Sequence, residues 1–319
     1  MRRTSSATAI AVAAAALAGV VGLSIAWGAA GWLGSETILW KLRLPRALVA
    51  AGAGAALATA GAIFQGLFRN PLADPFVVGV SGGSALGAVT AIVLGLSAPV
   101  LGIAPIAVTA FLGGLGAALL VYRLARVRGR VPIPTLLLAG FAVGSLASAL
   151  LSILLMTHTK NFGDIMLWLM GSFANTDSWE RLAVMLPAAA IALTVAIVYA
   201  RDLNLFLLGE EPAQQLGVEV ERAKRRLLAA GAVATAGAVA CAGIIGFVGL
   251  VVPNLARAVV GPDHRRMLPV CAAGGAVLVA AADLAARSLL RGIELPVGAI
   301  TAVAGAPFFL IVLRRKAKA

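Results

Sequence analysis

Stretches without a charged residue constrain this chain more than any other feature. They cover residues 7–35, 47–68, 75–122, 131–157, 182–200, 227–256 and 295–313. A helix needs about 20 mostly apolar residues to cross a bilayer. The run 75–122 is long enough for two spans around a Gly/Pro break near 95–105, and the run 227–256 divides near 243–249. With a further span at 267–287, the pattern predicts ten transmembrane helices.

The composition excludes a soluble protein. The 319 residues are 61% hydrophobic and 12% charged, with a mean hydropathy of +0.99, whereas a soluble domain of this size needs a far more charged surface. We predict an all-α integral membrane protein with a single transmembrane domain, residues 1–319. The apolar run after Arg2 and Arg3 has features of a signal peptide. It is longer than a typical signal core and more spans follow, so we interpret it as the first membrane helix.

The net charge of +13 is distributed as in a membrane protein rather than a nucleic-acid-binding one. With ten spans and both termini in the cytoplasm, most of the 26 Lys and Arg residues fall on the cytoplasmic side, as the positive-inside rule requires. The residues that fall outside are Lys41, Arg43, Arg46, Lys160, Arg181, Arg287 and Arg291. Because the rule makes outer charges rare, these are candidates for a function.

The longest polar segment, residues 201–226, is predicted to lie on the cytoplasmic side. Its sequence is RDLNLFLLGEEPAQQLGVEVERAKRR, and Pro212 and Gly217 are expected to divide it into two short helical pieces. A solvated connecting loop is the simpler interpretation. The number of apolar side chains favours a segment that docks against another protein.

Five ordered segments carry a resemblance to a known family. They are RLPRALVAAGAGAALATAGAIFQGLFRNPLADPFVVGVSGGSALGA, WLMGSFANTDSW, LNLFLLGEEPAQQLGVEVERAKRR, AGIIGFVGLVVPNLARAVVGPDHRRMLP, and ADLAAR followed by ELPVGAITAVAGAPFFLIVL. Together they resemble the FecCD, or vitamin B12 permease, family of membrane subunits of ABC importers. The resemblance covers nearly the whole chain after about Leu33. Asn254 departs from it, because many relatives have His after the preceding Pro.

This resemblance implies a type II ABC importer permease fold and a homodimer with its translocation path at the dimer axis. The implied partners are two ATP-binding cassette subunits and a periplasmic or lipid-anchored substrate-binding protein. ATP and Mg²⁺ would bind to the partner subunit and no cofactor to this chain, whose sequence has no GxxxxGK[ST] phosphate-binding motif. The segments 54–75 and 237–263 share a rhythm of small residues, which favours an inverted repeat of five helices per half.

The resemblance also implies roles for the outer arginines. Arg43, Arg46 and Arg287 match arginines that receive acidic residues from the two lobes of the binding protein in relatives. A guanidinium is a planar and permanently charged fork that suits carboxylates. We expect these three residues to dock the binding protein, with Lys41 and Arg291 extending the patch. The alternative is anchoring to lipid headgroups.

By the same resemblance, the cytoplasmic segment contains the coupling helices that transmit the motion of the ATPase. The matching residues are Leu208, Gly209, Glu210, Glu211, Ala213, Gln215, Leu216 and Gly217. The apolar side chains would seat in a cleft of the ATPase. For Glu210 and Glu211 alone, solvated charges at the start of a helix are an equal alternative.

The Gly- and Ala-rich run 47–68 is interpreted as the wall of a transport path, with Gln65 and Asn70 as lining and gate at its cytoplasmic end. Small residues there would serve either close helix packing or clearance for a large cargo. Asn70 also precedes a proline that ends the helix. Arg69 and Asp74 are expected to pair with each other at the membrane surface.

Other kinds of chemistry find little support in the sequence. Asp283 lies within a span and is expected to pair internally, and an ion-coupled transporter would need more such groups as relays. An intramembrane enzyme would need a motif such as His-Glu-x-x-His, which does not occur. Cys241 and Cys271 are expected to be packing residues, and His158 an ordinary interfacial residue rather than a haem ligand.

We therefore expect a permease and not an enzyme, located in the bacterial cytoplasmic (inner) membrane. It would translocate a bulky iron complex, either a siderophore or haem, by alternating access. Cobalamin is the rival cargo, because a wide path lined by small apolar side chains carries little chemical signature.

Overall fold

The computed structural model describes residues 6–28, 31–32, 36–100, 103–158, 160, 162–174, 178–290 and 293–317, and this part is almost entirely helical. The helices are α1 (Ser6–Ala26), α2 (Glu36–Ile38), α3 (Leu44–Leu67), α4 (Val80–Val93), α5 (Pro105–Ala125), α6 (Ile133–Thr157), α7 (Phe162–Leu169), α8 (Ser178–Val198), α9 (Ala200–Phe206), α10 (Glu210–Gln215), α11 (Val220–Ala242), α12 (Val248–Val260), α13 (His264–Ser288) and α14 (Val297–Ala317). A short antiparallel pair, β1 (Trp27–Gly28) with β2 (Gly31–Trp32), follows α1.

The predicted all-α membrane fold is confirmed. Among the described residues, seven helices are long and apolar enough to cross a membrane, and three shorter apolar helices accompany them: Val80–Val93, Val248–Val260 and Val297–Ile311. These helices correspond to the ten predicted spans. The break near 243–249 is also confirmed, because α11 ends at Ala242 and α12 begins at Val248. The inverted repeat stays a prediction.

Helix α3 is the central helix of the bundle. Almost all of its residues are buried, and it packs against α8, α11, α12 and α13. Glycine makes this possible, since a Cβ atom on Gly54 would lie 2.0 Å from the carbonyl oxygen of Gly275, and one on Gly61 would lie 1.9 Å from that of Gly249. Gly54 and Gly61 therefore serve close helix packing, while the role of α3 as the wall of a transport path stays a prediction.

The helix that carries Arg43 and Arg46 begins earlier than the charge-free run indicated. Helix α2 continues through a π-helical turn, Leu39–Arg43, directly into α3. The two arginines therefore lie on a continuous helix rather than in a loop, so the backbone fixes the direction of both side chains.

Helix α6 lies on the outside of the bundle. It packs against α4, α5 and the short 3₁₀ helix Pro75–Val78, and only a narrow face of it is buried. Phe141 and Met156 are 74% and 81% exposed. In a membrane such a face meets either lipid or another protein chain.

The segment 201–226 forms two short helical pieces, as predicted, but Pro212 does not separate them. The break lies at 207–209, where Gly209 has a φ of 123°, and Pro212 sits within α10. Proline is well tolerated in the first turn of a helix because its missing N–H has no intrahelical partner there. Gly217, with a φ of 87°, does end α10 as expected.

Candidate functional site

Two polar clusters lie at opposite ends of the bundle, and α13 connects them. The first is the arginine cluster, defined as Arg43, Arg46 and Arg287. The structure brings the three together near the C-terminal end of α13. The second contains the segment 201–226 and lies near the N-terminal end of α13, where Asn204 contacts Asp263. A helix of this length spans about 37 Å, which is enough to separate the two clusters by the thickness of a membrane.

Two members of the arginine cluster hold α1 in place. Arg43 is buried, and its Nη1 donates hydrogen bonds to the carbonyl oxygens of Ile25 at 2.8 Å and Ala26 at 3.2 Å. Arg287 is also buried, and its Nη2 donates to the carbonyl oxygen of Ser24 at 2.9 Å. Both guanidinium groups therefore satisfy the last carbonyls of α1, which have no intrahelical partner.

Arg46 is the third member and is held by two carboxylates of the same chain. Its Nε lies 3.0 Å from Oδ1 of Asp283 and its Nη2 lies 2.6 Å from the same oxygen. The same Nη2 also contacts Glu294, in the segment before α14. The expectation that Asp283 pairs internally is confirmed, since it also lies 3.7 Å from Nε of Arg287.

These contacts decide how the arginine cluster can meet a partner. The side chains of Arg46 and Glu294 are 14% and 33% exposed, whereas that of Asp283 is 1% exposed. Glu294 is thus the more exposed of the two carboxylates that contact Arg46, and it is the one that a carboxylate from outside could replace. Lys41 is exposed nearby in sequence, and Arg291 falls outside the described residues. Docking through this cluster stays a prediction.

The segment 201–226 presents apolar side chains to the surface. Leu207, Leu208 and Leu216 are 45%, 63% and 52% exposed. Leu203, Phe206 and Ala213 are instead buried and anchor the segment to the bundle. The predicted coupling residues are thus brought together around α10, with the leucines facing outward and Ala213 facing inward.

Glu210 and Glu211 differ in their contacts, although coupling and a solvated helix start were equal alternatives for both. The carboxylate of Glu210 accepts a hydrogen bond from Nζ of Lys224 at 2.6 Å. Glu211 is exposed. Lys224 itself is buried and was not singled out in the sequence, because it stands in a run of basic residues that counts toward the positive-inside rule.

A second anchor joins α9 to the start of α13. Asn204 donates from Nδ2 to Oδ1 of Asp263 at 2.7 Å, and its Oδ1 accepts from the backbone N–H of His264 at 2.9 Å. The donated hydrogen bond holds the pKa of the Asp263 carboxyl below its ordinary value. Asn204 therefore caps α13 from a neighbouring helix, a contact that no sequence pattern indicated.

Gln65 is buried and belongs to a polar network at the C-terminal end of α3. Its Oε1 accepts from Nη2 of Arg257 at 3.1 Å, and Nη1 of Arg257 donates to Oδ1 of Asn254 at 3.0 Å. Nδ2 of Asn254 donates to the carbonyl oxygens of Pro71 and Leu250, both at 2.8 Å. Asn254, the residue that departs from the family pattern, therefore links α12 to the loop after α3.

Asn70 is placed differently from Gln65. It is exposed, and its Oδ1 accepts from the backbone N–H of Leu72 at 3.0 Å. Asp74 caps the 3₁₀ helix by accepting from the N–H of Phe76 at 2.9 Å. The salt bridges of the described residues do not include the expected pair of Arg69 with Asp74, so that expectation is wrong.

The remaining candidates behave as packing or interfacial residues. Cys241 and Cys271 are both free and buried, as expected. Nδ1 of His158 lies 2.8 Å from Oγ1 of Thr157 on an exposed helix end. Among the described residues, no group of three or more His, Cys, Asp or Glu residues could hold a metal ion.

Among the described residues, ten apolar helices form a bundle with polar clusters at its two ends, as in an integral membrane protein. The model of the FecCD transport family matches residues 6–315. The chain belongs to this family and is the permease subunit of an ABC importer. The resemblance that the sequence motifs carried is confirmed.

Several relatives show how the family divides by cargo. The chain is 47% identical to the cobalamin import system permease protein BtuC of Halobacterium salinarum, over 88% of this chain and 74% of the relative. It is 40% identical to the hemin transport system permease protein HmuU of Yersinia pestis, over 87% and 84%. It is 38% identical to the Fe(3+) dicitrate transport system permease protein FecD of Escherichia coli, over 87% and 85%.

Solved structures agree with the fold. An ABC transporter assigned to the metal-chelate type, in an inward-facing conformation, matches with a TM-score of 0.87 and 31% identity, over 96% of this chain and 98% of that one. PsaBC from Streptococcus pneumoniae matches with a TM-score of 0.60 and 20% identity, over 86% and 92%. The second likeness concerns the fold alone.

Proposed function

We propose that this permease imports a bulky metal chelate, and that its cargo is an iron complex, either a siderophore or haem. The observation that carries this proposal is the similarity over most of the chain to permeases named for hemin and for ferric dicitrate. Cobalamin is the second candidate, and the 47% identity to a cobalamin permease favours it. All three cargoes are large metal complexes.

A transport assay separates the candidates. The permease is reconstituted in liposomes with its ATPase and binding protein, and uptake of an iron-55 siderophore, iron-55 haem and cobalt-57 cobalamin is measured with ATP and with a non-hydrolysable analogue. The proposal predicts ATP-dependent uptake of an iron complex. Uptake of cobalamin alone would move the assignment to the second candidate, and uptake of none of the three would overturn both.

We propose further that the chain works as a homodimer in a cytoplasmic membrane, with both termini on the cytoplasmic side. The exposed face of α6 supports this arrangement, because it offers an apolar surface to a second copy or to the path between copies. Two ATP-binding subunits, which would bind ATP and Mg²⁺, would sit under the segment 201–226. A substrate-binding protein would sit on the arginine cluster.

The mechanism proposed is alternating access without a tight cargo site. Closure of the ATPases would push on the exposed Leu208 and Leu216, and the anchors of α9 and α10 would pass this displacement to the bundle. Gln65 is proposed as part of a cytoplasmic gate, since its amide joins α3 to α12. Asn70 would contribute through the exposed loop after α3.

Docking is proposed to use the outer end of the bundle. Arg46 can exchange its contact with Glu294 for a contact with a carboxylate of the binding protein, because both are charge-assisted hydrogen bonds of the same geometry. Arg43 and Arg287 would support this exchange by fixing α1 against α3 and α13. Pairing with the binding protein would account for arginines at the outer end of the bundle, where the positive-inside rule makes them rare.

A further inference from the structure

Lys224 is a buried cation at the point where three separate segments meet. Only 3% of the residue is exposed. Its Nζ donates to Glu210 of α10 at 2.6 Å, to Glu221 in the first turn of α11 at 3.3 Å, and to the carbonyl oxygen of Val131 at 3.1 Å. An ammonium group has three protons to donate, so these contacts use all of them.

The link to Val131 is made twice. Oε2 of Glu221 accepts the backbone N–H of Val131 at 3.1 Å, while Lys224 takes its carbonyl oxygen. Val131 lies two residues before α6, and its side chain is buried as well. Both backbone groups at the start of α6 are therefore held by side chains of α11.

Lys224 connects helix α10 to the start of helix α6. Helix α6 lies on the outside of the bundle with most of its surface exposed, so its position depends heavily on how its ends are attached. Helix α10 is flanked by the exposed Leu208 and Leu216 at the same end of the bundle. Lys224 connects the two helices through charge-assisted hydrogen bonds, which are short, directional and costly to break in a buried place.

We propose that Lys224 is a positioning residue for transport that makes α10 and the start of α6 move as one unit. This inference rests on the proposed function, in which α10 receives the motion of the ATPase. The displacement then reaches α6 through Glu210, Lys224 and Val131, and not only through the helix packing of the bundle.

The first test uses the variant Lys224→Met, which keeps the length of the side chain and removes its charge. Arg222→Met is the matched control, since it removes a charge from the same helical turn but breaks only the exposed pair with Glu219. In liposomes with both partners, Lys224→Met is expected to keep ATP hydrolysis while cargo moved per ATP falls at least about tenfold, because all three hydrogen bonds of Nζ are lost and one charge-assisted hydrogen bond alone is worth about that factor. Lys224→Arg should restore part of the ratio, and Arg222→Met should leave it unchanged.

A second test follows the motion directly. Spin labels are placed at Gln214 on α10 and Leu138 on α6, both exposed, in a background with Cys241→Ala and Cys271→Ala. The inference predicts a narrow label distance that is the same without nucleotide and with trapped ATP. In Lys224→Met the distribution should broaden and depend on nucleotide. A distance that already changes with nucleotide in the unmodified protein overturns the inference.

The outcomes separate this inference from the proposed function. If the unmodified chain shows no ATP-dependent uptake, the proposed function fails before Lys224 is considered. If the unmodified chain transports cargo and the variants Lys224→Met and Arg222→Met move the same amount of cargo per ATP, the inference is overturned while the function stands. If Lys224→Met does not assemble, Glu210→Gln decides, because it removes only the partner on α10, whose side chain is 36% exposed. Normal coupling in that variant also overturns the inference.

Discussion

Arg46 and Asp283 are 237 residues apart in the chain and meet in a bidentate contact, with Nε 3.0 Å and Nη2 2.6 Å from the same carboxylate oxygen. The pair joins α3 to α13 at the end of the bundle that is predicted to face the binding protein. Asp283 is fully buried, so its charge depends on Arg46 and Arg287 for compensation.

Removing this carboxylate should destabilise the fold. Asp283→Asn leaves the buried Arg287 and the partly buried Arg46 without their shared partner, and such a loss costs about 3–5 kcal/mol. The measurement is unfolding of the purified permease in mixed micelles with increasing SDS. Glu219→Gln is the control, because it removes an exposed pair that contributes about 0.2–1 kcal/mol. Equal stability of the two variants would contradict the structural role of Asp283.

Removing Glu294 should affect docking rather than stability. Glu294→Gln leaves Arg46 bound to Asp283 but frees its outer face, so a carboxylate of the binding protein no longer has to displace a residue of the permease. We expect tighter association, measured by surface plasmon resonance over a range of salt concentrations. Lys41→Glu, which reverses an exposed charge of the same patch without disturbing the buried arginines, should have the opposite effect, with weaker binding and a reduced salt dependence.

The control for docking is Glu36→Gln, which removes an exposed carboxylate at the start of α2. It alters the overall charge at this end without touching Arg46. If Glu36→Gln and Glu294→Gln change the affinity equally, the effect is a general one of charge. Unchanged affinity in all variants would show that the binding protein docks elsewhere.

The exposed leucines of the cytoplasmic segment should be needed for the ATPase. Leu208→Asp or Leu216→Asp places a charge on a surface that would be buried in a cleft of the partner, and an unpaired charge there is strongly unfavourable. We expect loss of co-purification with the ATPase, or hydrolysis that no longer drives uptake. Gln214→Asp introduces the same charge at an exposed polar position and should assemble normally. Normal transport in both leucine variants would argue against the coupling role.

Helix α3 should be inaccessible to water along most of its length. Single cysteines at Ala53, Ala56 and Ala60, all fully buried, are expected not to react with a membrane-impermeant thiol reagent in a background without Cys241 and Cys271. Glu36→Cys, at an exposed position of the outer end of the bundle, provides the positive control. Labelling at helical spacing along α3 that changes when ATP is trapped would restore this helix as the wall of the path.

Sequence patterns predicted the fold well because they depend on local properties. Charged residues interrupt the apolar runs where helices end, and Gly243 marks the turn between α11 and α12 with a φ of 71°. The position of Pro212 was misjudged because proline both interrupts and begins helices.

The polar contacts between helices were not predictable in the same way. Lys224 with Val131, and Arg257 with Gln65, join residues 93 and 192 positions apart. No local pattern specifies such partners. A count of charges on each side of the membrane treats Lys224 as one more positive residue. Its burial and its contacts with α10 and Val131 are not visible in such a count. The internal pairing of Asp283 could be expected because an ionised group within a span needs a partner.

The contacts of Gly54 with Gly275 and of Gly61 with Gly249 place backbone directly against backbone. No side chain lies between α3 and its neighbours at these points, so none can change rotamer to accommodate sliding or rotation. Each contact therefore fixes both the distance between the two helices and their relative position along the helix axis. We therefore expect α3, α12 and α13 to move together as one unit during transport, so that a gate at Gln65 would open against a neighbouring helix or chain and not between α3 and α12.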